Sequence, residues 1–332
     1  MQIPPRGLAV RLSGHGDPSQ VLRLENVAPV PPGRGQVQLR MRLAPINPAD
    51  LNVIEGTYGR LPTLPATLGN EGLGEVVALG EGVSGFALGD LVRPRDGIGT
   101  WCQWCTADAA RCLRLPAGLP DDQAAQLTIN PGTAWAVLHE FPAGPPGSWV
   151  LLNAPTSAVG RSLMVLASRR GLRVLALVRR EEEVGTVRSL GATEVVIEGR
   201  EAAKAIRRQS GGTALLALNQ VGGDSAAILA KSLAPLGTLV TIGALARQPL
   251  TLPNAAMIFS ELRCCGFWVS RWYERVQPGV VEGMMDELGK LLRDGLLHLP
   301  VAATYPLERV QEAVAHAQRG GRGGKVLLAA HP

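Results

Sequence analysis

Two arginines, Arg179 and Arg180, stand side by side directly after the apolar run 173–178. A guanidinium is a planar fork of N–H donors that binds phosphate oxygens in pairs. What precedes the two arginines decides what they could bind. Residues 149–152 form an apolar run of strand length, 153–160 are small and turn-prone, and 162–170 have helical spacing, with Leu163, Val165, Leu166 and Ala167 on one side. Strand, tight turn, helix and strand make one βαβ unit with a right-handed crossover. Its first turn meets a helix N-terminus, where free N–H groups can hold a pyrophosphate. The three glycine positions of G-x-G-x-x-G fall on Ala154 or Pro155, Ser157 and Gly160. The fingerprint is degraded, but small residues keep the backbone approachable. A site built for NAD ends the second strand on an acidic residue that bonds the ribose 2′-hydroxyl. Two arginines there suit a 2′-phosphate instead, which reads as NADPH; the plainer alternative is two solvated arginines.

A second group of chemistry-bearing residues lies at 46–59. Asn47-Pro48 begins a turn, and 48–54 can form a short helix with proline in its first turn. Gly56 and Gly59 then bracket Tyr58. A phenol on such a loop can donate a proton or hydrogen bond to developing negative charge, or can be a surface aromatic. Glu71, flanked by Asn70 and Gly72, and Asp50, two residues after Pro48, could orient a neighbour or make structural hydrogen bonds. Cys102, Cys105 and Cys112 invite a metal. A structural zinc needs four closed ligands, so three ordinary thiols and no metal are expected. There is no G-x-S-x-G, and His15, His139, His298, His316 and His331 are scattered.

These residues sit in a chain of 332, enough for about two domains. It is 46% hydrophobic and 18% charged, so a large core is affordable. The net charge of +5 and pI near 9.2 suit a polyanionic partner such as a nucleotide, CoA or an acidic carrier protein. With three Tyr, four Phe and no basic cluster interleaved with aromatics, nucleic acid is not expected. No run of 18 apolar residues suggests a membrane span. Five cysteines imply no disulfide framework, and no leader is recognised, so a cytoplasmic location is expected.

Short β-type runs at 9–12, 37–43, 74–79 and 91–94, separated by Gly/Pro turns, predict a mostly antiparallel β unit. A strand is also predicted over 100–106. From about 121 the pattern turns to βα alternation. Helices are predicted at 124–127, 132–139, 201–209 and 225–233, and strands at 194–197, 214–219, 238–242 and 262–268. With the βαβ unit, this is an α/β chain with a doubly wound parallel sheet of six strands. A helix over 282–293 and the tail 324–328 return to the first unit. The predicted domains are 1–122, 123–268 and 269–332. The apolar run 262–268 comes last in the sheet, and an exposed edge predicts a homodimer.

The assembled motifs resemble the medium-chain dehydrogenase/reductase superfamily, and within it the zinc-free 2-enoyl-thioester reductases. The likeness rests on Ile46-Asn47-Pro48-Ala49-Asp50-Leu51-Asn52, Gly56-Thr57-Tyr58-Gly59, Gly69-Asn70-Glu71-Gly72, Gly97-Ile98-Gly99-Thr100-Trp101, Ile129-Asn130-Pro131-Gly132-Thr133-Ala134 and Gly266-Phe267-Trp268-Val269-Ser270. It implies a GroES-like catalytic domain beside a Rossmann sheet. Zinc alcohol dehydrogenases of the superfamily carry Cys near position 47 and Gly-His-Glu at 69–71; Asn47 and Asn70 are poor zinc ligands. The resemblance makes Tyr58 the proton donor, with Asn70 and Trp268 as neighbours. Its NADPH contacts fall on Asn130, Thr156, Ser157, Ala158, Val159, Arg179, Arg180, Ile242, Gly243, Ala244, Leu245, Phe267, Trp268, Val269, Ser270 and Lys325. Ala158 departs from the family's usual glycine in the turn, and Arg180 from a position often acidic. The implied reaction takes hydride to C3 and a proton to C2 of a trans-2-enoyl thioester, carried on CoA or acyl carrier protein. Quinone or other activated-alkene reduction, and NADPH binding without turnover, are the alternatives.

Overall fold

The computed structural model describes residues 4–95 and 98–331, and Gly97 of the Gly97-Ile98-Gly99 motif lies outside them. The chain divides into two compact units, Met1–Ile129 with Met285–Pro332, and Asn130–Met284.

The second unit is built on six parallel strands in the order Glu194–Ile197, Arg173–Val178, Trp149–Asn153, Leu216–Asn219, Thr238–Thr241 and Arg263–Gly266. Trp149–Asn153 and Leu216–Asn219 are buried at every residue. That is why their sequences are continuous apolar runs without alternation: helices cover both faces of a doubly wound sheet. Chain order reverses between these two strands, and ligands of open α/β sheets bind at the carboxyl ends beside such a reversal. The helix Ala158–Arg169 buries Leu163, Met164, Leu166 and Ala167.

The predicted strand 262–268 stops at Gly266, and a helix, Val269–Arg275, follows at once. Its buried residues are Val269, Ser270, Trp272 and Tyr273, and the apolar ones among them have helical spacing just past the apolar run.

The first unit centres on the ten-residue strand Gln36–Pro45. It pairs antiparallel with Leu73–Leu79, Trp104–Asp108 and the returning strand Lys325–Ala329. Two register shifts against Leu73–Leu79 let one strand serve several partners. A smaller sheet joins Gly7–Leu12 to Leu22–Val27 and Ala66–Thr67. The strand expected over 100–106 is found instead at Trp104–Asp108. Before it, Gly99 takes φ +81°, Trp101 N–H reaches Leu68 O and Met41 N–H reaches Gln103 O, so 99–103 stitch several strands together. Leu22–Val27, with four exposed residues in a row, gave no apolar signal. The helix expected at 124–127 lies at Asp121–Ala124.

Candidate functional site

The helix Pro48–Glu55 begins as its sequence requires. Pro48 occupies the first turn, and the Asp50 carboxylate accepts from Asn47 N–H at 2.7 Å, a cap that satisfies an orphan donor. Asp50 is fully buried, and its other oxygen accepts from both Asn70 N–H at 2.9 Å and Asn70 Nδ2 at 2.8 Å. Asn70 O in turn accepts from Arg93 Nη2 at 3.0 Å. Asn70 is therefore held at its side chain by Asp50 and at its backbone by Asp50 and Arg93.

Glu71, also fully buried, accepts four hydrogen bonds: from Thr128 N–H, Thr128 Oγ1 and Ile129 N–H on one oxygen, and from Asn47 Nδ2 on the other. The Asn47 Oδ1 accepts from Lys325 Nζ at 2.8 Å. That contact exists because Lys325–Ala329 pairs with Gln36–Pro45 and Ile46 N–H donates to Val326 O. Gly69 and Gly72 are needed here. A Cβ on Gly69, which has φ +104°, would lie 2.3 Å from Thr100 Oγ1, and one on Gly72 would lie 2.9 Å from Thr100 Cβ.

Two carboxylates and an ammonium thus share one dry network. Burial pushes the Asp50 carboxyl up to about 6. Burial pulls the Lys325 ammonium down to about 8, against the attraction of Glu71. Tyr58 lies half-buried on the loop after Gly56, against the unit's apolar core. Gly56 takes φ +79°, and Thr57 N–H returns to Asn52 O at 2.8 Å, fixing where that loop leaves the helix.

In the second unit, the predicted cofactor segments 156–159, 179–180, 242–245 and 267–270 all follow carboxyl ends of the parallel sheet. Ala154 has φ +48°, a conformation that L-residues seldom adopt. Ser157 caps the helix: its hydroxyl oxygen accepts from Gly160 N–H at 2.9 Å. A Cβ on Gly160 would lie 2.6 Å from Pro155 O and 2.7 Å from Ala154 O, so the last glycine of the degraded fingerprint is the indispensable one. The first turn leaves the N–H groups of Ala158 and Val159 without intrahelical acceptors, a cradle suited to a pyrophosphate.

Arg180 bonds Glu183 at 3.2 Å and is largely exposed. The Arg179 side chain is exposed as well and has no partner among the described residues, so it is the freer of the two to meet a phosphate. Trp268 stands half-buried just before Val269–Arg275, while Phe267 is buried edge-on to Phe141. Asn130 is buried at the start of Asn130–Glu140. Lys325, Tyr58 and Asn70 belong to the first unit.

Sequence inspection missed two features. Arg161, inside the first turn of Ala158–Arg169, donates through Nε to Thr156 O at 3.0 Å. A cation near a helix N-terminus opposes the macrodipole, which is a signal in itself. The second is the polar cluster around Asn153, Asn219 and Gln220. Its signal was visible: WVLLN and LALN both end on asparagine at one register, since Leu218 pairs with Leu152.

Residues 33–133 match the alcohol dehydrogenase GroES-like domain family, and 158–287 the zinc-binding dehydrogenase family. The chain is 38% identical over 324 residues to the mitochondrial enoyl-[acyl-carrier-protein] reductase of Xenopus tropicalis, covering 95% of this chain and 93% of that one. It is 35% identical to the human mitochondrial enoyl-[acyl-carrier-protein] reductase, covering 98% and 89%. The chain belongs to the enoyl-[acyl-carrier-protein] reductase family.

Among solved structures, an NADPH:quinone reductase from Bacillus thuringiensis aligns with TM-score 0.90 at 30% identity, covering 98% of this chain and 99% of that one. The Etr1p/NADP/crotonyl-CoA complex aligns with TM-score 0.87 at 29% identity, over the same shares. The fold of this reductase is therefore a GroES-like unit with a Rossmann sheet, as expected. The cytoplasmic location expected from composition is corrected by these relatives, which are mitochondrial proteins. Unpaired thiols fit any reducing compartment and do not single out the cytoplasm.

Despite one matched family's name, the donors at 47, 70 and 71 do not suit zinc. Asn47 and Asn70 offer neither thiolate nor imidazole, Glu71 is spent on four donors, and an ammonium already lies 2.8 Å from Asn47. Cys102, Cys105 and Cys112 are buried free thiols. A hydrogen bond with the Cys102 thiol, and then burial, raise Cys105, and burial pushes Cys112 up to about 12, which keeps both protonated.

Proposed function

We propose that this reductase reduces the C2=C3 double bond of a trans-2-enoyl thioester with NADPH. What carries the proposal is the match, along nearly the whole chain, to enoyl-[acyl-carrier-protein] reductases. NADPH supplies the hydride when bound. The chain's part is to hold it: Ala158 and Val159 N–H and Thr156 at the pyrophosphate, Arg179 at the 2′-phosphate, with Arg180 beside it. The segments 242–245 and 267–270, with Asn130 and Lys325, complete the cofactor contacts. Tyr58 donates its O–H toward the thioester oxygen, where negative charge collects once C3 has accepted a hydride, and supplies the proton for C2. Asn70, held by Asp50, and Trp268 are the further residues assigned to catalysis.

The test is NADPH oxidation with crotonyl-CoA set against a benzoquinone. Faster turnover of the thioester supports the proposal. A preference for the quinone favours the second reading, a quinone reductase, which the Bacillus thuringiensis neighbour supports. NADPH binding without turnover of either acceptor points to a non-enzymatic role.

The carrier is CoA or acyl carrier protein, and the basic balance of the chain suits both. The assembly proposed is a homodimer. The edge strand Arg263–Gly266 leaves one side unpaired, and Ile258 and Phe259 beside it in sequence are 64% and 82% exposed. A monomeric mass in light scattering contradicts this.

A further inference from the structure

Gln220 follows the strand Leu216–Asn219 and is almost wholly buried, yet every polar atom it owns is engaged. Its N–H donates to Asn153 Oδ1 at 2.7 Å. Its Nε2 donates to Asn153 O at 2.7 Å and to Ala154 O at 3.3 Å. Its Oε1 accepts from the Ser157 hydroxyl at 2.7 Å. Its carbonyl accepts from Leu245 N–H at 3.1 Å, and a Cβ on Gly243 would lie 3.0 Å from that oxygen. One side chain thus ties the start, the strained residue and the cap of the pyrophosphate turn together. Its backbone holds the neighbouring 242–245 segment.

The Ser157 hydroxyl has one proton, and that proton goes to Gln220, while its oxygen accepts from Gly160 N–H. An anionic phosphate needs donors, and Ser157 has none left to give. Ala154, at φ +48°, would relax to an ordinary conformation if its carbonyl were released. Asn153 is itself held by the amide of Asn219 and by Ser225, donating to Asn219 Oδ1 at 2.9 Å and Ser225 Oγ at 3.0 Å. The clamp is therefore anchored in the sheet and does not drift with the turn.

We propose that Gln220 is a positioning residue for the dinucleotide: it fixes Ala154 and Ser157 so that the Ala158 and Val159 N–H groups meet the pyrophosphate, and it withdraws the Ser157 hydroxyl from cofactor contact. The inference rests on the NADPH reading above and adds the residue that shapes the site.

The test uses the full chain with Gln220→Met, Ser157→Ala and the double variant. NADPH and NADH affinities are read by nucleotide fluorescence, and folding is read by thermal melts. Gln220→Met keeps the length and removes the hydrogen bonds, so both dissociation constants rise about tenfold and in the same proportion, the loss expected for one or two buried hydrogen bonds. At saturating NADPH its kcat and the thioester KM stay as in the wild type. The double variant binds no worse than Gln220→Met alone, because the two side chains act as one unit. Unchanged NADPH affinity in a folded Gln220→Met, or losses that simply add in the double variant, overturns the proposal. Should Gln220→Met fail to fold, the shorter Gln220→Asn decides: its amide cannot reach Ser157 and Ala154 together, so an affinity loss in the folded variant supports the proposal and wild-type affinity for NADPH overturns it. If the wild type binds neither nucleotide, the NADPH reading itself fails and takes the proposal with it.

Discussion

Asn47, Asp50, Glu71 and Lys325 in the first unit, and Asn153, Ser157, Asn219 and Gln220 in the second, are both polar clusters sunk in apolar surroundings. Their chemistry differs. The first carries two carboxylates and an ammonium, all but dry. The second is made of amides and hydroxyls at the ends of two buried strands, and it reaches a carboxylate only at its margin, where Ser225 donates to Glu198 at 2.6 Å. Neutral groups can be fully paired without desolvating charge. The charged cluster is costlier to bury and responds to protons.

Removing the cation should test this most severely. Lys325→Met leaves Glu71 without its neighbouring positive charge, and about 3–5 kcal/mol of stability should be lost in urea unfolding. Adding Glu71→Gln should return part of it. A loss below about 1 kcal/mol would mean that the ammonium does not balance the network.

Tyr58→Phe comes next and bears on chemistry alone. Turnover of an enoyl thioester should fall tenfold or more, about 1.4 kcal/mol of barrier, with NADPH affinity kept. Unchanged turnover removes Tyr58 from the mechanism.

Arg179→Ala should do the reverse. NADPH affinity drops about tenfold, as for one lost charge-assisted contact, while NADH affinity and kcat at saturation hold. Equal losses for both nucleotides would place Arg179 away from the 2′-phosphate. Arg161→Ala, by contrast, should weaken both nucleotides by about the same small factor, since it stands at the pyrophosphate turn.

The smallest effect is a titration. The folded Asp50 carboxyl, raised from 3.8 to about 6, holds its proton more tightly than the unfolded chain does, so its contribution to stability falls as pH rises from 3.8 to 6. Lys325, lowered from 10.5 to about 8, binds its proton less tightly when folded, so its contribution rises between pH 8 and 10.5. The charged cluster therefore stabilises the protein least between these two windows, near neutrality. Carboxyl 13C NMR should place the Asp50 midpoint well above 5; a midpoint at the ordinary 3.8 would show water in the network.

Much of the second unit could be read from the chain, because buried parallel strands leave uninterrupted apolar runs. The runs 173–178 and 194–197 coincide with strands Arg173–Val178 and Glu194–Ile197. The helix predicted at 48–54 was legible for another reason: proline and a capping carboxylate mark its first turn. Helix Glu182–Ser189 went unread because Val187 is its one buried residue, whereas Val310–Gln318 went unread although Val310, Ala313, Val314 and Ala317 form a regular helical stripe. Of the site, the residues were legible but not their grouping. Asn47 and Lys325 lie 278 positions apart, and only the pairing of Lys325–Ala329 with Gln36–Pro45 brings them into contact. Asp50 and Glu71 were seen as able to orient a neighbour, yet nothing local says that Asp50 holds Asn70 while Glu71 holds Thr128.

That same pairing has a consequence for biosynthesis. A ribosome releases Gln36–Pro45 nearly three hundred residues before Lys325–Ala329, a delay on the order of tens of seconds at ordinary elongation rates. Through that interval the 43–45 end of the central strand lacks its partner on one border, and the nascent carboxylates Asp50 and Glu71 lack the Lys325 ammonium. The intervening nucleotide-binding unit can mature meanwhile, but the first cannot close until its last strand emerges, which makes this border the place where a chaperone would have work to do.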